Sequence, residues 1–146
     1  MTLLLDTHVV LWWLDNPAQL SRQAKKAIQD GRNRVCVSAA VAWEIAIKKS
    51  LGKLEAPDDL EEMIAANRFS PLPVTIPHAL GVMSLPDHHR DPFDRILIAQ
   101  ALHEGFRLVT RNQEIAKYPV PQILACASAL IGCPPPACRI DLAALA

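Results

Sequence analysis

Four acids in this chain, Asp6, Glu44, Asp91 and Asp94, sit where the surrounding residues leave a carboxylate in need of a partner. Asp6 closes an apolar run at residues 3–5. Glu44 lies within SAAVAWEIAIKK, with Ala40 and Val41 one turn before it and Ile47 one turn after, so its own stripe is largely apolar. Asp91 and Asp94 fall in HHRDPFDRILIAQA, just ahead of the apolar run 96–99. Carboxylates gathered on one rim repel each other, and at neutral pH they must share protons or bind a cation. Oxygen ligands without a matching His or Cys set point to a hard ion, Mg²⁺ or Mn²⁺. Such an ion can hold a phosphate, acidify a water and offset the charge that develops in phosphodiester cleavage. Each acid also has a plainer reading. Asp6 can cap a helix, Glu44 can pair with Lys48 on an exposed helix face, and Asp91-Pro92 followed by Asp94 can be helix-start chemistry alone.

The elements that would bring these residues together are short. Residues 3–5, 35–37, 72–76, 108–110 and 122–125 read as strands, most of them buried on both faces. Helical patterns fall between them at 7–14, 21–30, 38–51, 58–66, 78–84, 92–104 and 112–116. Ser21 and Ser38 are of N-cap type, and Gly31, Gly52 and Gly105 stand where helix C-caps belong. Alternating strands and helices imply a parallel sheet covered on both faces, whose ligands collect beyond the carboxyl ends of the strands. Asp6, and the group Thr110, Arg111 and Asn112, occupy such ends.

The composition bounds the rest. A chain of 146 residues, 51% hydrophobic and 21% charged, fits one domain with a real core. Fifteen basic and fifteen acidic residues give a formal net charge of +0, so attraction to a polyanion must rest on local patches. The apolar start is interrupted by Asp6 and His8, has no basic leader and is too short to span a bilayer, which gives the expectation of a soluble cytoplasmic protein with no membrane contact. Four cysteines without a CxxC pair read as reduced thiols. Residues 1–127 form the expected domain, and 128–146, with a triple proline at 134–136, read as an appended and irregular tail.

In this order, LLLDTHVVLWWL, VSAAVAWEIAIKKSLGKL, DPFDRILIAQAL and LVTRN resemble the PIN-domain ribonucleases, specifically the VapC-type toxins of bacterial toxin–antitoxin pairs. The likeness runs from Met1 to about Ala125. It implies a three-layer α/β/α sandwich with a central, mainly parallel sheet. It also implies a Mg²⁺-dependent (or Mn²⁺-dependent) endoribonuclease acting on structured RNA such as tRNA or rRNA and leaving 5′-phosphate and 3′-hydroxyl ends. A homodimer and neutralisation by a small VapB-like antitoxin are implied as well. Carried across by position, Asp6, Glu44 and Asp94 are the three catalytic and metal-binding acids and Asp91 an additional one, while Thr7 and Thr110 match polar positions beside them. The departure is Asn112, where many members carry an aspartate. Its carbonyl can hold a water or cap the helix that begins there, and a second metal becomes doubtful.

Substrate phosphates would meet Lys48, Lys49, Arg95 and Arg111, with Lys53 and Arg90 as further candidates. His88 and His89 read as exposed loop residues, and Trp12, Trp13 and Trp43 as core or dimer packing. A phosphatase of the haloacid dehalogenase kind also opens with a strand ending in Asp, but its second aspartate would fall at His8. The alternative that survives is a catalytically silent PIN-like module that binds RNA or an antitoxin, motivated by Asn112.

Overall fold

The apolar runs do pair, and they pair in parallel. In the structure, a computed structural model that describes residues 1–126, five strands form one sheet: β1 (Thr2–Leu5), β2 (Arg34–Ser38), β3 (Ser70–Leu72), β4 (Arg107–Thr110) and β5 (Gln122–Leu124). Their spatial order is β3-β2-β1-β4-β5 and every neighbouring pair is parallel. β1 lies in the middle, with Leu4 opposite Cys36 on one side and Leu108 on the other. Leu3, Leu4 and Leu5 have no exposed surface, and burying each is worth roughly 2 kcal/mol.

Six helices, α1 (Thr7–Asp15), α2 (Arg22–Gln29), α3 (Ala39–Ser50), α4 (Leu60–Ala66), α5 (Ile76–Gly81) and α6 (Pro92–Glu104), complete a three-layer α/β/α sandwich. Ser21 and Ser38 cap α2 and α3, their hydroxyls accepting from the amides of Ala24 and Ala40. Gly105 ends α6 at φ 69°, a left-handed turn in which any side chain would be strained. Gly31 does not take that conformation; α2 ends at Gln29 with Asp30 as its cap, and among the described residues the positive-φ glycines are Gly52 and Gly105.

One region departs from expectation. The strand expected at 72–76 lies earlier, at Ser70–Leu72, and Ile76 already belongs to α5. Pro73 has no amide hydrogen with which to extend the ladder, and Thr75 and His78 form a reciprocal capping box with Pro77 in the first turn. α5 accordingly starts two residues before the expected helix and passes into a 3₁₀ turn at Val82–Ser84. The helix expected at 112–116 is a 3₁₀ turn over Gln113–Lys117. The tail assigned to 128–146 lies outside the described residues. Among the described residues no helix is long and apolar enough to cross a membrane.

Chain direction across the sheet reverses beside β1, since β2 and β3 lie on one side and β4 and β5 on the other. The carboxyl ends of β1 and β4 therefore flank a crevice, the usual place for a ligand in a sheet of this kind.

Candidate active site

Asp6 is the first residue beyond β1 and it ties both walls of the crevice together. Its amide donates to Val109 O at 3.0 Å, continuing the β1–β4 pairing by one residue. Its Oδ1 accepts from Val9 N at 2.8 Å, capping α1, and its Oδ2 accepts from Arg111 N at 3.2 Å. The Thr110 hydroxyl also hydrogen-bonds this carboxylate, while Thr110 Oγ1 accepts from Asn112 N at 3.0 Å. Asp6 is only 4% exposed. Burial pushes its pKa from 3.8 to about 6; the hydrogen bonds from Thr110 and Val9 oppose that rise and the nearby Asp94 carboxylate adds to it. Capping and a place at the rim are thus not alternatives for this residue.

Glu44 is held from two sides. Thr7 Oγ1 donates to Oε1 at 3.0 Å and Lys48 Nζ donates to Oε2 at 2.8 Å. The i, i+4 pair with Lys48 is therefore real, but it is buried, with both side chains about nine-tenths covered. Burial raises the Glu44 carboxyl, Lys48 and Thr7 counter it, and the Asp91 carboxylate raises it further. Lys48 was expected to contact phosphate; in the fold its ammonium belongs to Glu44.

The start of α6 supplies the other acids. Asp91 Oδ1 accepts from the amides of Phe93 at 2.9 Å and Asp94 at 3.5 Å, the N-cap arrangement, and burial followed by the Asp94 charge raises its pKa. Asp94 Oδ2 lies 2.7 Å from His89 Nε2 and accepts from Asn112 Nδ2 at 3.0 Å. Asn112 uses its Oδ1 to accept from Glu114 N, capping the 3₁₀ turn, so its amide nitrogen faces the acids. The capping reading of Asn112 holds, and its carbonyl is already engaged.

His89 was expected to be exposed; it is half-buried against Asp94. The cause is Arg95. Its guanidinium donates to the carbonyls of Val82, Leu85, Pro86 and His89 and to Tyr118 Oη, at 2.9–3.5 Å, and so folds the loop before α6 back over the helix. Arg95, expected to meet phosphate, thus has its guanidinium engaged within the fold as a structural clamp. Lys49 pairs with Asp58 at 2.6 Å and also donates to Pro57 O. Arg111 keeps its guanidinium at the rim, stacked over Trp12 at 5.5 Å from the ring centre, and Arg90 and Lys53 are exposed.

Beside this rim opens a cleft of about 650 Å³ lined in part by Thr7, His8, Trp12, Lys48 and Lys53. His8 had no assigned role. Burial, then the Arg111 and Lys48 charges, hold its pKa down to about 4, so a neutral imidazole lines the cleft. Trp12 and Trp13 pack against the core as expected, whereas Trp43 is 61% exposed, edge-on to Phe93.

Asp6, Asp91 and Glu44 all titrate above their ordinary range, and each feels another carboxylate of the group. A divalent cation would relieve that repulsion, and the oxygen-rich donors suit one. Ligand atoms of His89, Asp91 and Asp94 lie within 4.8 Å of one another. Among the described residues, neither Asp6 nor Glu44 joins a trio that tight, and the carboxylate of Glu44 is already occupied by Thr7 and Lys48.

Comparison with known proteins adds an independent line. A family model described as "PIN domain" matches residues 3–121. The chain is 28% identical over 124 residues to Ribonuclease VapC22 of Mycobacterium tuberculosis, covering 83% of this chain and 95% of that protein. Among solved structures, it superposes on a chain of VapBC2 from Rickettsia felis, bound to a DNA fragment from its promoter. That superposition has a TM-score of 0.65 at 15% identity, covering 86% of this chain and 99% of that one. It also superposes on a chain of DNA-bound VapBC from Salmonella typhimurium, with a TM-score of 0.61 at 17% identity, covering 84% and 96%.

Proposed function

This chain belongs to the PIN domain family, and from that premise we propose that it is a metal-dependent endoribonuclease, the toxin of a toxin–antitoxin pair. The observation that carries the reading is the set of buried (Asp6, Glu44) and half-buried (Asp91, Asp94), mutually repelling carboxylates at the carboxyl edge of a parallel sheet. The substrate is structured RNA of the tRNA or rRNA kind, the ion is Mg²⁺ or Mn²⁺, and the place of action is the cytoplasm. The relative named as a ribonuclease, matched along nearly its whole length, supports the activity, and the likeness to VapBC complexes supports an antitoxin partner.

Asp6, Asp91 and Asp94 would hold the cation. Bound there, it would grip the scissile phosphate, acidify a water and offset the charge growing on the phosphate oxygens. Glu44, fixed by Thr7 and Lys48, orients the attacking water. Thr110 keeps Asp6 aimed into the crevice. Arg111, Arg90 and Lys53 meet the flanking phosphates. A homodimer is part of the proposal: Ile76 and Leu80, one turn apart on α5, and Met83 in the 3₁₀ turn that follows are all more than half exposed, apolar surface suited to a protein partner.

The test is to incubate the purified protein with total bacterial RNA, with Mg²⁺, with Mn²⁺ or with chelator, and to map new 5′ ends. Discrete ends that need the ion and vanish in Asp94→Asn support the proposal. RNA binding without ion-dependent cleavage would overturn it in favour of a silent binding module.

A further inference from the structure

We propose that His89 is a nitrogen ligand of the cation site, beside Asp91 and Asp94, and that it gives this chain a preference for Mn²⁺ over Mg²⁺. The inference rests on the metal-dependent reading above and names the ligand that sets the choice of ion. His89 Nε2 lies 2.7 Å from Asp94 Oδ2, and the ligand atoms of His89, Asp91 and Asp94 are mutually within 4.8 Å. Two donors that ligate one first-row ion at right angles, each at about 2.1 Å, are about 3 Å apart. The pair that now shares a proton would open by only about 0.3 Å to share a cation, with the imidazole proton carried on Nδ1 instead.

The imidazole is delivered by a fastened backbone. Arg95 Nη1 donates to the His89 carbonyl at 3.2 Å and Tyr118 Oη reaches the same oxygen at 3.5 Å. Across the site, Asn112 directs an amide N–H at Asp94 and keeps its oxygen on Glu114 N, so it contributes neither charge nor a free ligand atom. His89 approaches that same Asp94 oxygen, at 3.4 Å from Asn112 Nδ2. The imidazole therefore sits directly with Asp91 and Asp94, and with Asp6 completes a set of three carboxylates and one nitrogen. Mg²⁺ favours oxygen and gives up water reluctantly, whereas Mn²⁺ shares its liking for a carboxylate-rich set and, as a first-row transition ion, gains more from one added nitrogen.

The experiment uses tag-free protein stripped with chelator. Midpoints of thermal stabilisation are titrated with Mg²⁺ and with Mn²⁺ for wild type, His89→Ala and His89→Gln, and electron spin-echo spectra of the Mn²⁺ form are searched for ¹⁴N coupling. Wild type is expected to bind Mn²⁺ roughly tenfold tighter than Mg²⁺ and to show nitrogen coupling. Both variants should lose the coupling and most of the preference, the Mn²⁺ midpoint weakening roughly tenfold or more and the Mg²⁺ midpoint distinctly less. Ion binding without nitrogen coupling, or coupling that persists in both variants, overturns the role of His89 and leaves the nuclease reading intact. No binding of either ion overturns both.

Discussion

Asp6 carries three structural hydrogen bonds and an electrostatic penalty at once. With its pKa raised from 3.8 to about 6, the folded state holds this proton more tightly than the unfolded chain does, so stability falls as pH rises from 3.8 to 6. The penalty is complete above pH 6, on the order of 3 kcal/mol, and disappears below pH 3.8. Asp6→Asn removes it, but turns an amide toward Arg111 N at a cost of about 1–2 kcal/mol. In chelator, the variant should melt at or above the wild-type temperature at pH 7.5, and that advantage should shrink steadily toward pH 4. Melting curves across this range check it; an advantage that is flat or grows toward acid would contradict it. RNA cleavage should be lost throughout. That Asp6 sits at a strand end was legible in the sequence, because an apolar run followed by a carboxylate is a local signal. The buried pairing of Lys48 with Glu44 was legible only as spacing. The bond from Thr7, which settles how that carboxylate is held, joins residues 37 positions apart.

At the scale of elements, the caps were readable because each is written within four residues. Ser21, Ser38, Asp91 and Gly105 all act where their types and neighbours placed them. β3 and α5 were misplaced because the run 72–76 looks apolar, while Pro73 and the Thr75–His78 box, which decide the matter, are polar or turn signals inside it. The loop ahead of α6 was opaque for a different reason. It has no regular structure, and its shape is set by Arg95, whose guanidinium serves five acceptors. Arg95→Lys cannot reproduce a planar fork and should destabilise the protein by about 2–3 kcal/mol, as the carbonyls lose their donor. Urea unfolding measures the loss, and hydrogen exchange should quicken first around residues 82–91. An unchanged midpoint would show that the clamp is dispensable.

For the whole molecule, a formal net charge of +0 means that no general field draws RNA in. Of the cations expected to meet phosphate, Lys48, Lys49 and Arg95 are each held by a partner within the fold, which leaves Arg90, Lys53 and Arg111. The logarithm of RNA affinity should therefore fall with the logarithm of salt with a slope of only about −2 to −3, about 0.7–0.9 for each of three contacts. Anisotropy titrations of a cleavage-dead variant at several salt concentrations would check this. A slope steeper than about −5 would mean that exposed cations other than these three, such as Arg68 or Arg107, also meet the RNA. The three-layer architecture was readable from alternation alone, whereas the allocation of these charges was not, because each depends on which helix docks beside which.

The hydrogen bond between Asp6 and Arg111 joins positions 105 residues apart, and β1 keeps one edge unpaired until β4 arrives beside it. During synthesis the first acid of the crevice leaves the ribosome long before the wall that confines it. A nascent chain of this protein thus carries no closed crevice until nearly the whole sheet has been translated.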